Sequence, residues 1–191
     1  MPRVEPVVKI ENVVATAALK HGIDLIAVVK AFPEAEYQPK TFPGLIFRLK
    51  RPRTASLIFG TGKMICTGAR SEREAGIALR KIVRALKEGG IVVMGKLEVK
   101  VVNIVASASL GGTVDLLQMY ERERSMRGSI IYEPDQFPGL IYRMNDPRAV
   151  FLIFSSGKIV CTGARKEEDV HRAVVKLHRK LEEKNLIRHE H

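Results

Sequence analysis

Hydrophobic residues along the chain keep two rhythms, and the order of those rhythms recurs. Val, Ile, Ala and Thr dominate a stretch near Val7 to Ala18 and another near Val99 to Ser109, a β-branched composition that predicts strands. A helix is predicted after each, near Ile23 to Ala31 and near Val114 to Glu123. Three short strands come next, at Leu45 to Lys50, Ala55 to Phe59 and Lys63 to Thr67, with counterparts 95 residues further on. Arg51-Pro52 and Asp146-Pro147 mark one set of turns between them, and the tetrapeptides GTGK and SSGK the other. A long helix closes each half, near Ser71 to Lys87 and Lys166 to Lys184, the first carrying Ile77, Ile82, Val83 and Leu86 at helical spacing.

The strands are apolar on both sides. Ile10, Asn12 and Val14 alternate with Val7, Val13 and Ala15, and Leu57 and Phe59 with Ile58. Two helices per half can cover one face of an antiparallel sheet, and the other face would ordinarily be polar. Here it stays apolar, with Arg48, Arg53, Lys63, Arg143, Arg148 and Lys158 around it. Such a surface suits a flat target that is apolar in the middle and anionic at its edges. The minor groove of DNA, floored by sugars and base edges between two rows of phosphate, has that character.

The recurrence is literal. From Phe42 to Arg70 and from Phe137 to Arg165, 18 of 29 aligned positions are identical without a gap. VKIENVVATAAL also returns as VKVVNIVASASL, at an offset of 91 rather than 95, so the second copy gains four residues, placed in the stretch Tyr120 to Gly128. Residues 1–95 and 96–191 are therefore expected to be two repeats of one continuous body, with a nearly two-fold target. The formal charge of +11 suits a polyanionic partner. It is unevenly held: the first 95 residues carry 16 Lys+Arg against 8 Asp+Glu, the rest 16 against 13. Cys66 and Cys161 occupy the same place in each copy, which favours reduced thiols over a disulfide. Neither an apolar leader nor a run approaching 18 apolar residues is present, so no membrane partner is expected.

The elements FPGLIYR, PR, LIF, SGK and CTGA, in order and in both copies, resemble the conserved core of the TATA-box-binding protein family across about Val7 to Ile187. The resemblance implies an α+β fold, a two-repeat saddle whose curved ten-stranded antiparallel sheet carries four helices on its convex face and DNA beneath. It implies a general transcription initiation factor that binds A·T-rich double-stranded promoter DNA in the minor groove, without cofactor or metal. Phe42 with Phe59, and Phe137 with Phe154, would be wedges entering base steps at the two ends of the site. Asn12 and Asn103 would point at the groove floor, among Val14, Val105, Leu57, Leu152, Thr67 and Thr162. Arg48, Arg53, Lys63 and Arg70, with Arg143, Arg148, Lys158 and Arg165, would hold phosphates. The loop bearing Glu133, Asp135 and Gln136, acidic where the first copy reads Gln38-Pro39-Lys40, would dock transcription factor B and thereby RNA polymerase assembly. A homodimer in the absence of DNA is left open. With no long acidic or glutamine-rich extension before the core, an archaeal member in the cytoplasm with the nucleoid is expected, or a nuclear one were it eukaryotic.

Other chemistries are poorly supplied. GTGK lacks the full phosphate-loop pattern, with Met64 after the lysine and a strand on either side. His171 and His178 are expected as solvated residues of a charged helix, without the spacing of a zinc site. Asp24 and Asp115 stand singly at helix starts, where capping explains them better than base-flipping catalysis. A sheet-faced RNA-binding protein is the rival reading. It calls for aromatics at strand centres, whereas these phenylalanines lie near strand ends.

Overall fold

The computed structural model describes residues 4–124 and 129–189. Two compact units form: residues 12–102, and the described residues up to Glu11 together with those from Asn103 on. The long first strand of each repeat crosses the boundary between them. β1 (Lys9–Ala18) gives its first residues to the second unit, where Glu11 accepts a 2.7 Å hydrogen bond from the Ser107 hydroxyl of β5 (Glu98–Ser109).

In the first unit β1 is followed by α1 (Leu25–Ala31), β2 (Leu45–Leu49), β3 (Thr54–Ile58), β4 (Lys63–Ala69) and α2 (Glu72–Glu88). The strands pair antiparallel in the order β2-β3-β4-β1. The second unit continues from β5 with β6 (Thr113–Val114), α3 (Leu116–Glu123), β7 (Ile130–Ile131), β8 (Leu140–Asn145), β9 (Arg148–Ile153), β10 (Lys158–Ala164), α4 (Glu167–Glu183) and β11 (Ile187–Arg188). Its main order is β5-β10-β9-β8-β7, again antiparallel, and β11 pairs with β6 beside it. Among the described residues these are the four helices expected and nine main strands rather than ten. The tenth shrinks in the first copy to a single bridge, Glu36 with Ile46, where β7 pairs Ile131 with Ile141. A turn closed by the Ala35 N–H on the Phe32 carbonyl, at 3.0 Å, takes up the residues just before that bridge.

Helix starts follow local chemistry. Asp24 caps α1 through the N–H groups of Ile26 and Ala27, and Asp115 caps α3 through that of Gln118, so both aspartates serve as caps. Ser71 caps α2 and accepts from the Glu74 N–H at 2.9 Å, while Glu74 accepts from the Arg70 N–H at 3.0 Å. Each sheet has one fully covered face. α2 packs on β4 and α4 on β9 and β10. Beneath them lie Val13, Ala15, Ile58, Met64 and Cys66 in one unit and Ile104, Ala106, Phe151, Ile153 and Cys161 in the other. Burial pushes the Cys66 thiol up and the Cys161 thiol up to about 12, so both remain protonated and inert. His178 departs from expectation: it faces this core from α4, buried, with Nε2 3.5 Å from Glu182, because it shares the packed stripe of Val174, Leu177 and Leu181. His171 is exposed as expected. Of the stretch Tyr120 to Gly128, residues 125–128 lie outside the described residues, and α3 is one residue longer than α1.

Candidate nucleic-acid interface

Strand register defines what the other face carries. In the first unit Ile46 opposes Leu57, Leu57 opposes Ile65, and Ile65 opposes Thr16, a row across β2-β3-β4-β1. In the second, Ile141, Leu152, Val160 and Ser107 make the same row across β8-β9-β10-β5. All eight residues are half-buried, as are Asn12, Val14, Asn103 and Val105 further along the central strands. Residues on the covered face are close to 0% exposed. The contrast identifies an open apolar surface in each unit, which in a soluble protein marks an interaction site.

Each surface ends in a pair of aromatic rings. Phe42 precedes β2 and Phe59 follows β3; Phe137 precedes β8 and Phe154 follows β9. The rings of Phe42 and Phe59 stand 6.0 Å apart at 68°, and those of Phe137 and Phe154 6.0 Å apart at 69°, an edge-to-face arrangement. Phe42 and Phe137 are 42% and 39% exposed, unusual for a residue with so much apolar area to hide. Their backbones are tied down: the Phe42 N–H donates to the Gln38 carbonyl at 2.9 Å and the Phe137 N–H to the Glu133 carbonyl at 3.0 Å.

The asparagines are held in one orientation. Asn12 Oδ1 accepts from the Gly68 N–H at 2.7 Å, and Asn103 Oδ1 from the Gly163 N–H at 2.8 Å. A backbone N–H can only donate, so the amide oxygen must face it and the NH2 group must face away. Asn12 Nδ2 then donates to the Thr67 hydroxyl at 3.0 Å, and Asn103 Nδ2 to Thr162 at 3.2 Å, which leaves further donor capacity on the open face. The glycines can do this because the ladder slips there, between Val13 and Ala15 in one unit and between Cys161 and Ala164 in the other. Gly68 at φ +95° and Gly163 at φ +93° adopt the left-handed backbone such a bulge needs. Sequence reading found the asparagines and missed the glycines that orient them, although TG recurs in both copies.

Arg48, Arg53, Lys63, Arg70, Arg143, Arg148, Lys158 and Arg165 are all exposed, at strand ends and turns around these surfaces. Arg48 alone among them has a described ion pair, 3.6 Å from Glu36 and largely solvated. Glu133, Asp135 and Gln136 are exposed on the loop that ends in Phe137, and the Gln136 N–H closes on the Glu133 carbonyl at 2.9 Å. Gly60 to Lys63 form the β3–β4 turn, with Gly62 at φ +92°. No group of His, Cys, Asp and Glu among the described residues is arranged to hold a metal ion, and no helix among them is long and apolar enough to cross a membrane.

Relatives share this plan. The family model described as transcription factor TFIID (or TATA-binding protein, TBP) matches residues 7–89 and again 98–184, one match per repeat. A TATA-box-binding protein of Sulfurisphaera tokodaii is 50% identical over 182 residues, 95% of this chain and 90% of its own. That of Pyrodictium occultum is 48% identical over 184 residues, 96% and 90% of the two chains. Among solved structures, Methanococcus jannaschii TBP superposes with a TM-score of 0.80 at 46% identity, covering 92% of this chain and 98% of that one. Twin apolar faces, twin aromatic pairs and twin oriented amides thus coincide with a family match over both repeats: the chain belongs to the TATA-box-binding protein family.

Proposed function

We propose that the chain is a general transcription initiation factor that binds A·T-rich promoter DNA through the minor groove, bends it, and presents the bent complex to transcription factor B and so to RNA polymerase. The observation that carries this reading is the open apolar face of each unit, ending in an aromatic pair of the same geometry. Apolar rows such as Ile46-Leu57-Ile65 would lie on sugars and base edges, where an uncovered polar face would lose its hydrogen bonds to water. The outward NH2 groups of Asn12 and Asn103 would donate to A N3 and T O2, acceptors that both orientations of an A·T pair present almost alike. The surrounding apolar and hydroxyl groups leave little room for the protruding amino group of guanine.

Each aromatic pair would enter a base step. A ring can replace a lost stacking partner without stranding a hydrogen-bonding group, and in minor-groove wedge proteins, of which this family is the standard example, unstacking costs a few kcal/mol per step. Burial of the apolar faces and release of counterions by the eight rim cations offset that cost. The exposed acids Glu133 and Asp135 would repel phosphate, and so suit a basic protein surface better than DNA. Without DNA, a homodimer formed through the same faces would keep them from water. The reading places the chain with the nucleoid of an archaeal cell, as a binding protein without catalytic role.

Selection from random duplexes, followed by energy transfer between labelled ends of the selected DNA, tests it. A·T-rich winners bent by the wild type, and bent less by the Phe137→Ala, Phe154→Ala variant, are expected. Selected sequences without A·T enrichment, or an unchanged bend in the variant, would overturn the reading.

A further inference from the structure

Gly44 and Gly139 lie under the two aromatic pairs, and the backbone does not require them to be glycine. Neither adopts a positive φ, unlike Gly62, Gly68 and Gly163, so alanine suits the main chain at both positions. Both are buried. The space for a methyl group is what is missing. A Cβ at Gly139 would stand 2.7 Å from Cε1 of Phe137 and 3.1 Å from Cε1 of Phe154; at Gly44 it would stand 2.7 Å from Cε1 of Phe42 and 3.1 Å from Cε1 of Phe59. Carbon atoms in contact prefer about 3.5–4.0 Å. In each unit, therefore, two rings from different strand ends converge on one bare Cα.

We propose that Gly44 and Gly139 are positioning residues that set how deep and at what angle each phenylalanine pair stands. The inference rests on the wedge reading and adds to it. Three restraints fix each leading ring: the turn bond from its own N–H to Gln38 or Glu133, the edge of its partner ring, and the glycine beneath. The turn bond holds the backbone, so an added methyl group must displace the ring. Phe42 and Phe137 are exposed enough to swing outward, so the substitution mis-aims the wedge and leaves the core in place.

The test places 2-aminopurine, which brightens when unstacked, at either end of an A·T-rich duplex. Gly139→Ala should weaken binding about three- to tenfold, the effect of a ring held off its rotamer. It should also reduce the unstacking signal at one end only, with Gly44→Ala doing the same at the other end and the melting temperature little changed. A double-mutant cycle separates positioning from general damage. In a Phe137→Leu background, which lacks Cε1 of the ring, Gly139→Ala should cost little further affinity. Equal losses in both backgrounds, or wild-type affinity and signal in Gly139→Ala, would overturn the inference. If Phe137→Ala also left the signal unchanged, the wedge reading itself would fall; if it removed the signal while Gly139→Ala did not, only the glycine inference would. Should Gly139→Ala alone melt early, recovery of the wild-type melting temperature by added Phe137→Leu still reports the ring contact, and no recovery refutes it.

Discussion

The two repeats solve one packing problem in opposite ways. In the first, Phe32 at the end of α1 packs edge-on against Phe47 of β2, ring centres 5.2 Å apart, and Gly89 past α2 leaves room for it: a Cβ there would lie 2.9 Å from the Phe32 ring. In the second, the equivalent positions hold Glu123, Tyr142 and Lys184. Glu123 is 2% exposed, bonded to Lys184 and 3.4 Å from Lys180, which in turn donates to the Tyr142 hydroxyl at 3.1 Å. Aromatic contact has been exchanged for an ion cluster. On the open faces nothing comparable has happened: ring pairs, amide bonds and the contacts of Gly44 and Gly139 agree between copies to within about two tenths of an ångström. The open faces are held to one geometry, and the pocket that faces the interior has diverged.

The largest test of that division is on the loops. Glu133→Lys with Asp135→Lys makes the second loop basic, as the first is, where Gln38-Pro39-Lys40 carries a single lysine. Affinity for A·T-rich DNA should hold or rise slightly, while the ternary complex with factor B should weaken by at least about a hundredfold, as expected for a reversed charge at an interface. Gel shifts with and without factor B measure both. Retention of the ternary complex would mean that the loops differ for no reason connected with partners.

Next in size are the asparagines, where the comparison demands equality. Asn12→Asp keeps the oxygen that accepts from Gly68 and replaces the outward NH2 with a second oxygen, so the fold stays and a charge meets the groove acceptors. The loss should be about 1–3 kcal/mol in binding. Asn103→Asp should match it within about twofold in affinity, since the amide geometry is the same. Unequal losses in titrations on a symmetrised duplex would show that the two halves do not read DNA alike.

The fold was largely legible because the repeat wrote each element twice, and a strand guessed in one copy could be checked in the other. Element limits fell within a residue or two of those found, and both capping aspartates were recognised. What escaped was set by distant parts. Whether β7 forms a strand or only the Glu36–Ile46 bridge depends on the turn at Phe32, and His178 is buried because α4 lies on the sheet. The site shows the same split. Side chains that could touch DNA were visible as residue types on one face, whereas Gly44, Gly68, Gly139 and Gly163 act through backbone donors and missing volume, which residue type alone does not reveal.

The divergent pocket gives a smaller effect, on stability. Glu123→Gln should cost about 1–2 kcal/mol, less than the 3–5 of a fully buried pair because Lys180 and Lys184 keep access to water. Burial pushes the Glu123 carboxyl up, but the hydrogen bond from Lys184 and the two lysine charges outweigh it and hold the group below its ordinary value. Its contribution is therefore complete above the unfolded pKa of about 4.3 and lost as pH falls through the lower folded value. Melting curves of wild type and variant should converge at low pH. Gly89→Ala, the first copy's counterpart, should cost about 1–3 kcal/mol by overpacking Phe32, with no such pH dependence.

The smallest expected effect separates charge from symmetry. Lys63 and Lys158 open β4 and β10 at equivalent places, both exposed, yet the first copy carries the larger share of the charge. If each meets one phosphate, alanine at either should lower the slope of log affinity against log salt by about 0.9 and leave the selected sequence unchanged. Equal shifts would mean that geometry alone decides which cations touch the backbone, and that the excess charge of the first copy serves approach or another partner. A shift for Lys63 only would mean that the first copy carries the electrostatic contact while the second contributes shape, and the repeats would then differ in use on a face where their geometry agrees.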